Sequence, residues 1–194
     1  MSITETPPAT AVRYVIDANG STFTVKAFAT GALSVFGHNP TLAISDIQGE
    51  VQFSSSSLED ASLRLVMQAN SLKVTDDISN KDRQDIERQT RDDVLEADSF
   101  PEIVYDCPRV SSVQKLSEGS YSVSMNGELT LHGVTQTQPV VAKVTINANT
   151  LRATGDFSLL QSDYDIRPVS AAGGTIKLKD ELKLSFAISA RKQA

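Results

Sequence analysis

The residues with the widest chemical range in this chain are its two histidines, His38 and His132. Imidazole is the commonest nitrogen ligand and a ready general base, so the pair could hold a metal or a haem iron, or move a proton beside a carboxylate. Neither, however, has an acidic or thiol neighbour at a recognisable ligand spacing. His38 sits in a Gly-His-Asn-Pro turn and His132 falls on the polar face of its strand. Both read as hydrogen bonders that fix turns. Cys107, the single cysteine, has no disulfide partner in the chain and reads as a small apolar residue on a strand. G-x-S-x-G, H-E-x-x-H, C-x-x-C and a phosphate-cradling glycine loop are all missing from the sequence. The chain is therefore read as a non-enzyme without a cofactor. A small-molecule enzyme or a metal or haem binder using His38 and His132 is the weaker alternative.

What must position any site follows from the rest of the sequence. A length of 194 residues suits one domain that buries its own core. Hydrophobic residues make up 40% and charged ones 22%, which excludes disorder as the main state. The net charge of −6 and the lack of a basic face argue against nucleic acid and anionic lipid surfaces as partners. No apolar run reaches the ~20 residues of a membrane-spanning helix, so no stable membrane insertion is expected. Residues 1–10, with Pro7 and Pro8, read as a disordered tail without the pattern of a secretory signal, which places the protein in the cytoplasm, or in the periplasm if a leader has been removed.

From residue 11 onward the dominant signal is alternation of period two. Phe23, Val25 and Ala27 alternate with polar neighbours, as do Leu63, Leu65 and Met67. The longest run puts Tyr121, Val123, Met125, Leu129 and Leu131 on one face. Val140, Ala142, Val144 and Ile146 follow, and Leu182, Leu184, Phe186 and Ile188 close the series. One apolar and one polar face per strand marks an antiparallel sheet. Asn19-Gly20 predicts a hairpin turn of the primed type. At Asn126-Gly127 the parity continues, which predicts an unbroken strand with Gly127 at a bulge or a close contact. Glu118-Gly119 and Gly173-Gly174 mark loops.

The stretch 79–97 breaks the alternation. Ser79 or Asn80 can cap a helix, Asp82 suits its positive end, and Pro101 lies just beyond. Ile78, Ile86, Val94 and Leu95 give a thin apolar stripe, so the helix should lie on the surface and touch the sheet along a narrow edge. Eight or nine strand runs with one apolar face must curl to bury it, and closure removes the edges. The fold class is thus all-β, an antiparallel eight-stranded β-barrel with one inserted surface helix. An eight-stranded barrel either fills with side chains or keeps room for one small ligand. Alternation alone favours the filled interior.

Four segments in order shift that balance. FATGALSVFGHNPTLAISDIQGEVQF (28–53), VLEADSFPEIVY (94–105), GELTLHGVTQ (127–136) and SDYDIRPVSAAGGTIKLKDELKLSF (162–186) together resemble the YceI-like family. The LTLHGVT piece is the most specific. The resemblance covers nearly all of the chain after the tail. It implies a lipocalin-like barrel, often dimeric, that binds an isoprenoid-type or other amphiphilic chain along its interior. The partner would be an apolar or amphiphilic small molecule, such as a polyisoprenoid, a quinone precursor or a fatty-acyl compound, held for storage or transport.

Such a chain is held by removal of its surface from water, so its affinity spreads over many wall residues. The inward parity selects Phe23, Val25 and Ala27, then Leu63, Leu65 and Met67. Val123, Met125, Leu129 and Leu131 continue the wall, with Val144, Leu184 and Phe186. Taken singly, each is better explained as ordinary core packing, and the wall is a claim about the group. Near the mouth, Asp163, Tyr164 and Arg167 occupy one family-matching loop, where Arg167 could meet a phosphate or carboxylate and Tyr164 could shield it. The remaining alternative is a stress-related interaction protein with a filled barrel, whose acidic helix binds a partner.

Overall fold

Alternating residues become strands whose order closes on itself. The structure, a computed structural model, describes residues 11–30, 39–55, 57–171 and 176–193. The expected tail, the turn carrying His38 and the Gly173-Gly174 loop lie outside the described residues. The first strands are β1 (Ala11–Ile16), β2 (Thr22–Lys26), β3 (Ala29–Thr30), β4 (Thr41–Ile44), β5 (Ile47–Ser54), β6 (Ser57–Gln68) and β7 (Leu72–Val74). Helix α1 (Asn80–Gln89) follows, then β8 (Glu102–Cys107), β9 (Ser112–Ser117), β10 (Ser120–Leu131), β11 (Val134–Ile146) and β12 (Thr150–Leu160). The last three are β13 (Ser170–Ala171), β14 (Ile176–Leu178) and β15 (Glu181–Lys192).

Neighbouring strands run β1-β5-β6-β8-β10-β11-β12-β15, and β15 pairs back onto β1. Each of these pairings is antiparallel, which makes a closed eight-stranded barrel. β9 adds to the edge of β10, and β13, β14 and β3 form a small separate sheet.

One half of the wall is kinked. β15 pairs with β1 through Arg191 and its neighbours, and with β2 through Lys183–Ala187. β1 and β2 are thus successive pieces laid along a single partner, and they do not pair with each other. This corrects the hairpin expected at Asn19-Gly20. The chain makes a short 3-10 turn there, over Ala18–Gly20, without positive φ. Asp17 N donates to Ser189 O at 2.8 Å and the Ser21 hydroxyl donates to Asp17 O at 2.7 Å, so the kink is tied down onto β15. β4 and β5 bend at the same level, as do β6 and β7. The pieces beyond the bend pair in the order β15-β2-β4-β7.

β7 ends that order, so its outer edge has no strand partner. Helix α1 supplies one with side chains. Glu87 accepts the Val74 N–H at 3.0 Å, and the Arg83 guanidinium donates to the carbonyls of Val74 and Asp76. The helix begins as its sequence predicts: the Ser79 hydroxyl accepts the Asp82 N–H at 3.1 Å, and Asp82 lies in the first turn. Past Gln89 the helix widens into a π-type turn over Thr90–Val94. No residue of α1 itself is buried. No helix among the described residues is long and apolar enough to cross a membrane.

Asn126-Gly127 lies inside an unbroken β10, as its parity requires. The reason for glycine is contact: a Cβ there would stand 2.4 Å from Cζ of Tyr105. The Tyr105 hydroxyl accepts the Gly127 N–H at 3.0 Å and donates to Gln138 O at 3.1 Å, which stitches three neighbouring strands at one point. Gly127→Val should therefore cost about 2 kcal/mol or more of stability through overpacking and loss of this stitch, read as a lower urea midpoint with unchanged slope.

Candidate functional site

Inside the barrel the inward faces leave two apolar cavities. The first, about 100 Å³, lies in the closed half of the barrel. The second, about 350 Å³, lies in the kinked half under the helix. Phe23, Met67, Leu129 and Phe157 line both and so form the partition between them. Phe23 sits edge-on to Phe157, with ring centroids 6.2 Å apart, and stacks on Phe186 at 6.5 Å. The larger cavity falls in the lower part of the range that holds small organic ligands.

The positions selected by parity divide between these chambers. Leu63, Leu65, Val123, Met125, Val144 and Phe186 line the first. Val25, Ala27, Leu131 and Leu184 line the second. Phe23, Met67 and Leu129 belong to the partition. The structure does not bring Tyr164 and Arg167 to either lining. Tyr164 is buried elsewhere in the core, and Arg167 is exposed on the loop. Burial holds the Tyr164 phenol neutral and pushes its pKa up to about 12.

Several lining residues escape the parity reading. Phe157 is one, from a β12 whose inward series Leu151, Ala153, Gly155, Phe157, Leu159 is diluted by small residues. Gly155 is small because a Cβ there would stand 2.6 Å from Val141 O and 2.7 Å from the Phe186 ring. The helix end is another, through Ile86, Val94 and Leu95, which roof the second chamber. Gln161 is the third. It is the one buried polar residue among those described, 4% exposed, and it lines the second chamber. Its amide nitrogen donates to Lys179 O at 2.9 Å, which fixes the orientation of the side chain.

The first chamber offers a ligand almost no polarity. Tyr105 is its one titratable lining group, and both hydrogen-bonding roles of the hydroxyl are taken by Gly127 and Gln138. Burial pushes the Tyr105 phenol up to about 12. Cys107 is fully buried and donates to Arg109 O at 3.2 Å, and burial pushes its thiol up as well, away from the reactive thiolate.

His132 serves as a turn residue. Leu131 pairs with Val134, so His132 and Gly133 form a two-residue hairpin turn with φ of 51° and 75°, the primed geometry. At Gly133 a Cβ would stand 2.6 Å from the Phe100 ring. The imidazole lies 4.6 Å from that ring, with Nδ1 3.2 Å from Tyr164 O and Nε2 3.0 Å from the Glu96 carboxylate. It ties the end of the helical connection to the barrel. His38 lies outside the described residues. Among the described residues no group of histidine, cysteine, aspartate or glutamate side chains could hold a metal ion.

A closed antiparallel eight-stranded barrel with a helical insertion and an apolar interior defines a lipocalin-like architecture. The sequence match is more specific: residues 14–190 fit the YceI-like domain, and the chain belongs to that family. A UPF0312 protein of Pseudomonas fluorescens is 30% identical over 136 residues, which is 70% of this chain and 63% of that protein. Among solved structures, BcnA of Burkholderia cenocepacia superposes with a TM-score of 0.65 at 16% identity, covering 90% of this chain and 98% of the other. A polyisoprenoid binding domain from Saccharophagus degradans, implicated in plant cell wall breakdown, gives 0.67 at 14% identity, over 93% and 98% of the two chains. At these identities the likeness is one of fold.

Two predictions follow from the walls. Met125→Arg places an unpaired charge in the first chamber and should abolish ligand uptake or folding, whereas Lys143→Glu, on the outward parity of β11, should leave both nearly unchanged. Equal damage in melting and binding would reverse the inside–outside assignment. The two phenols held near 12 contribute stability that is complete below the ordinary tyrosine pKa of 10.0 and is lost as pH rises towards about 12. A 295 nm titration should show tyrosines ionising later in native than in urea-unfolded protein, with the urea midpoint falling over the same pH window.

Proposed function

We propose that the barrel is a non-catalytic carrier of a single apolar or amphiphilic chain, lodged across the two chambers, for storage or transport. The observation that carries this reading is the pair of abutting, mainly apolar cavities that share Phe23, Met67, Leu129 and Phe157 as common lining. Met67, unbranched and flexible, is suited to move aside and join them. Each methylene withdrawn from water contributes about 0.8 kcal/mol, so ten of them give roughly 8 kcal/mol against the entropy of ordering the chain. The linings are predominantly apolar, which supports binding of hydrocarbon. The polyisoprenoid-binding character of the Saccharophagus domain supports the same class of ligand here, with quinone precursors and fatty-acyl compounds as the other members.

The test is mass spectrometry of a solvent extract of the purified protein beside its native intact mass. A chain molecule at near-stoichiometric amount is expected. An empty extract, together with no uptake of added polyprenol, quinone or fatty acid, overturns the carrier reading and leaves a barrel that acts through its surface. The same native mass reports whether the protein is the dimer that the family resemblance implies.

A further inference from the structure

The two chambers differ in a way that orients their occupant. The first is apolar, its lone phenol fully engaged. The second carries polar residues in its lining: Gln89 and Thr90 at the helix end, and Gln161 and Lys177, brought near each other where Gln161 bonds Lys179 O. Gln161 is buried and fixed: its N–H donates to Asp180 O at 3.0 Å, its carbonyl accepts from Ile166 N at 3.1 Å, and its side-chain amide is held by Lys179 O. A buried amide needs hydrogen-bonding partners, and one of its two side-chain N–H bonds is accounted for within the protein. An apolar residue of similar size would serve a purely greasy chamber better.

A second, independent observation concerns charge. The protein carries a net −6, yet lysines gather near Lys177. Lys26 and Lys183, paired across β2 and β15, each place Nζ 5.7 Å from the ring centroid of Phe28. Phe28 O accepts the Lys179 N–H at 2.8 Å, and Lys177 stands two residues before, in the chamber lining. Among the described residues none of these four lysines has a carboxylate within ion-pair distance. Of the two adjacent acids, Asp180 is turned to Ser162, whose N–H at 2.8 Å and hydroxyl donate to it, and Glu181 is exposed. Lys26, Lys177, Lys179 and Lys183 outnumber the acids beside them, Asp180 and Glu181, and this net positive rim favours an anion at Lys177.

We infer that the ligand is a single-chain amphiphile with an acidic head, a carboxylate or a phosphate, which enters tail first and leaves its head between Gln161 and Lys177 under the lysine rim. This rests on the carrier reading above. The tail fills the first chamber, the head stays beside Gln161 and Lys177 in the second, and the rim raises the local concentration of anionic ligand.

The test uses cis-parinaric acid and its methyl ester, fluorescent chains that differ in the charge of the head. The wild-type protein should bind the acid at least about tenfold more tightly than the ester at low salt, and the preference should shrink as salt rises. Lys177→Gln, an exposed change that should not disturb folding, should cut the preference at least about threefold, whereas Lys143→Gln, on β11 and outside both linings, should leave it unchanged. The pair Lys26→Gln and Lys183→Gln should weaken the salt dependence. Dodecanoate and dodecyl phosphate as competitors then separate the two kinds of head, the better one naming the source. Equal binding of acid and ester, or displacement by dodecanol as effective as by either acid, overturns the head-group assignment and leaves the carrier reading standing. Binding of neither probe, together with an empty extract and no uptake of polyprenol or quinone, overturns both.

Discussion

The architecture turns on a conflict over backbone hydrogen bonds at β15. That strand has one edge to offer beyond β12, and two strands need it: β1 takes one end to close the barrel, and β2 takes the other. Sharing is possible only because the chain kinks at residues 17–21, and the kink must be copied by every strand stacked beyond it. β4 with β5, and β6 with β7, bend accordingly. The propagated bend leaves β7 without a further partner while β6 continues to β8. A bare edge facing an apolar interior would leave polar backbone groups unsatisfied. The inserted helix answers with Glu87 and Arg83, whose side chains bond the Val74 N–H and C=O as a neighbouring strand would.

That solution explains why the helix is so polar. A helix that packed into the core would show a broad apolar stripe. This one seals a seam, so its work is done by a carboxylate and a guanidinium, while Ile86 and the turn that follows roof the chamber beneath. The roof is anchored at its far end by His132, whose ring spans Glu96 and the Tyr164 carbonyl. Where strands pack flank to flank, as in the closed half, the interior nearly fills. Where the wall is completed by short strands and a helix, it keeps the larger cavity.

Much of this was legible in the alternation. A period of two tells which face of each strand turns inward, and the inward residues named from it do face the chambers. Closure was legible too, since a large sheet with one apolar face has few other ways to bury it. Asn19-Gly20 was misleading because its composition suits a primed turn, yet the turn was decided by which strands compete for β15, a long-range fact with no local signature. β12 escaped because the fit of Gly155 against Phe186 and Val141 demanded a small residue where a pattern search wants a large one. Gln161 escaped for the opposite reason: a polar residue between strands looks like a loop, and only the chain's return from Lys179 encloses it. The weight placed on Arg167 came from its charge and family context, and the fold sends that side chain outward.

The distribution of aromatic rings gives the interior its directional character. Phe23, Phe157 and Phe186 cluster at the waist on three neighbouring strands of one wall, β2, β12 and β15, with Phe186 directly opposite Phe23 in register. Rings there are rigid and large, and with Met67 of β6 and Leu129 of β10 they divide the interior and leave the remaining volume on either side. On one side the lining is almost wholly apolar and its one phenol, Tyr105, is already engaged, so a polar group placed there would lose its water with little compensation. On the other side a fixed amide and unpaired ammonium groups can replace that water. Hydrocarbon is tolerated on both sides and polarity on only one, so the waist ranks the two orientations of an amphiphile by the desolvation cost of its head. A side-chain partition suits this task because it can yield to a chain while the hydrogen-bonded walls stay in place.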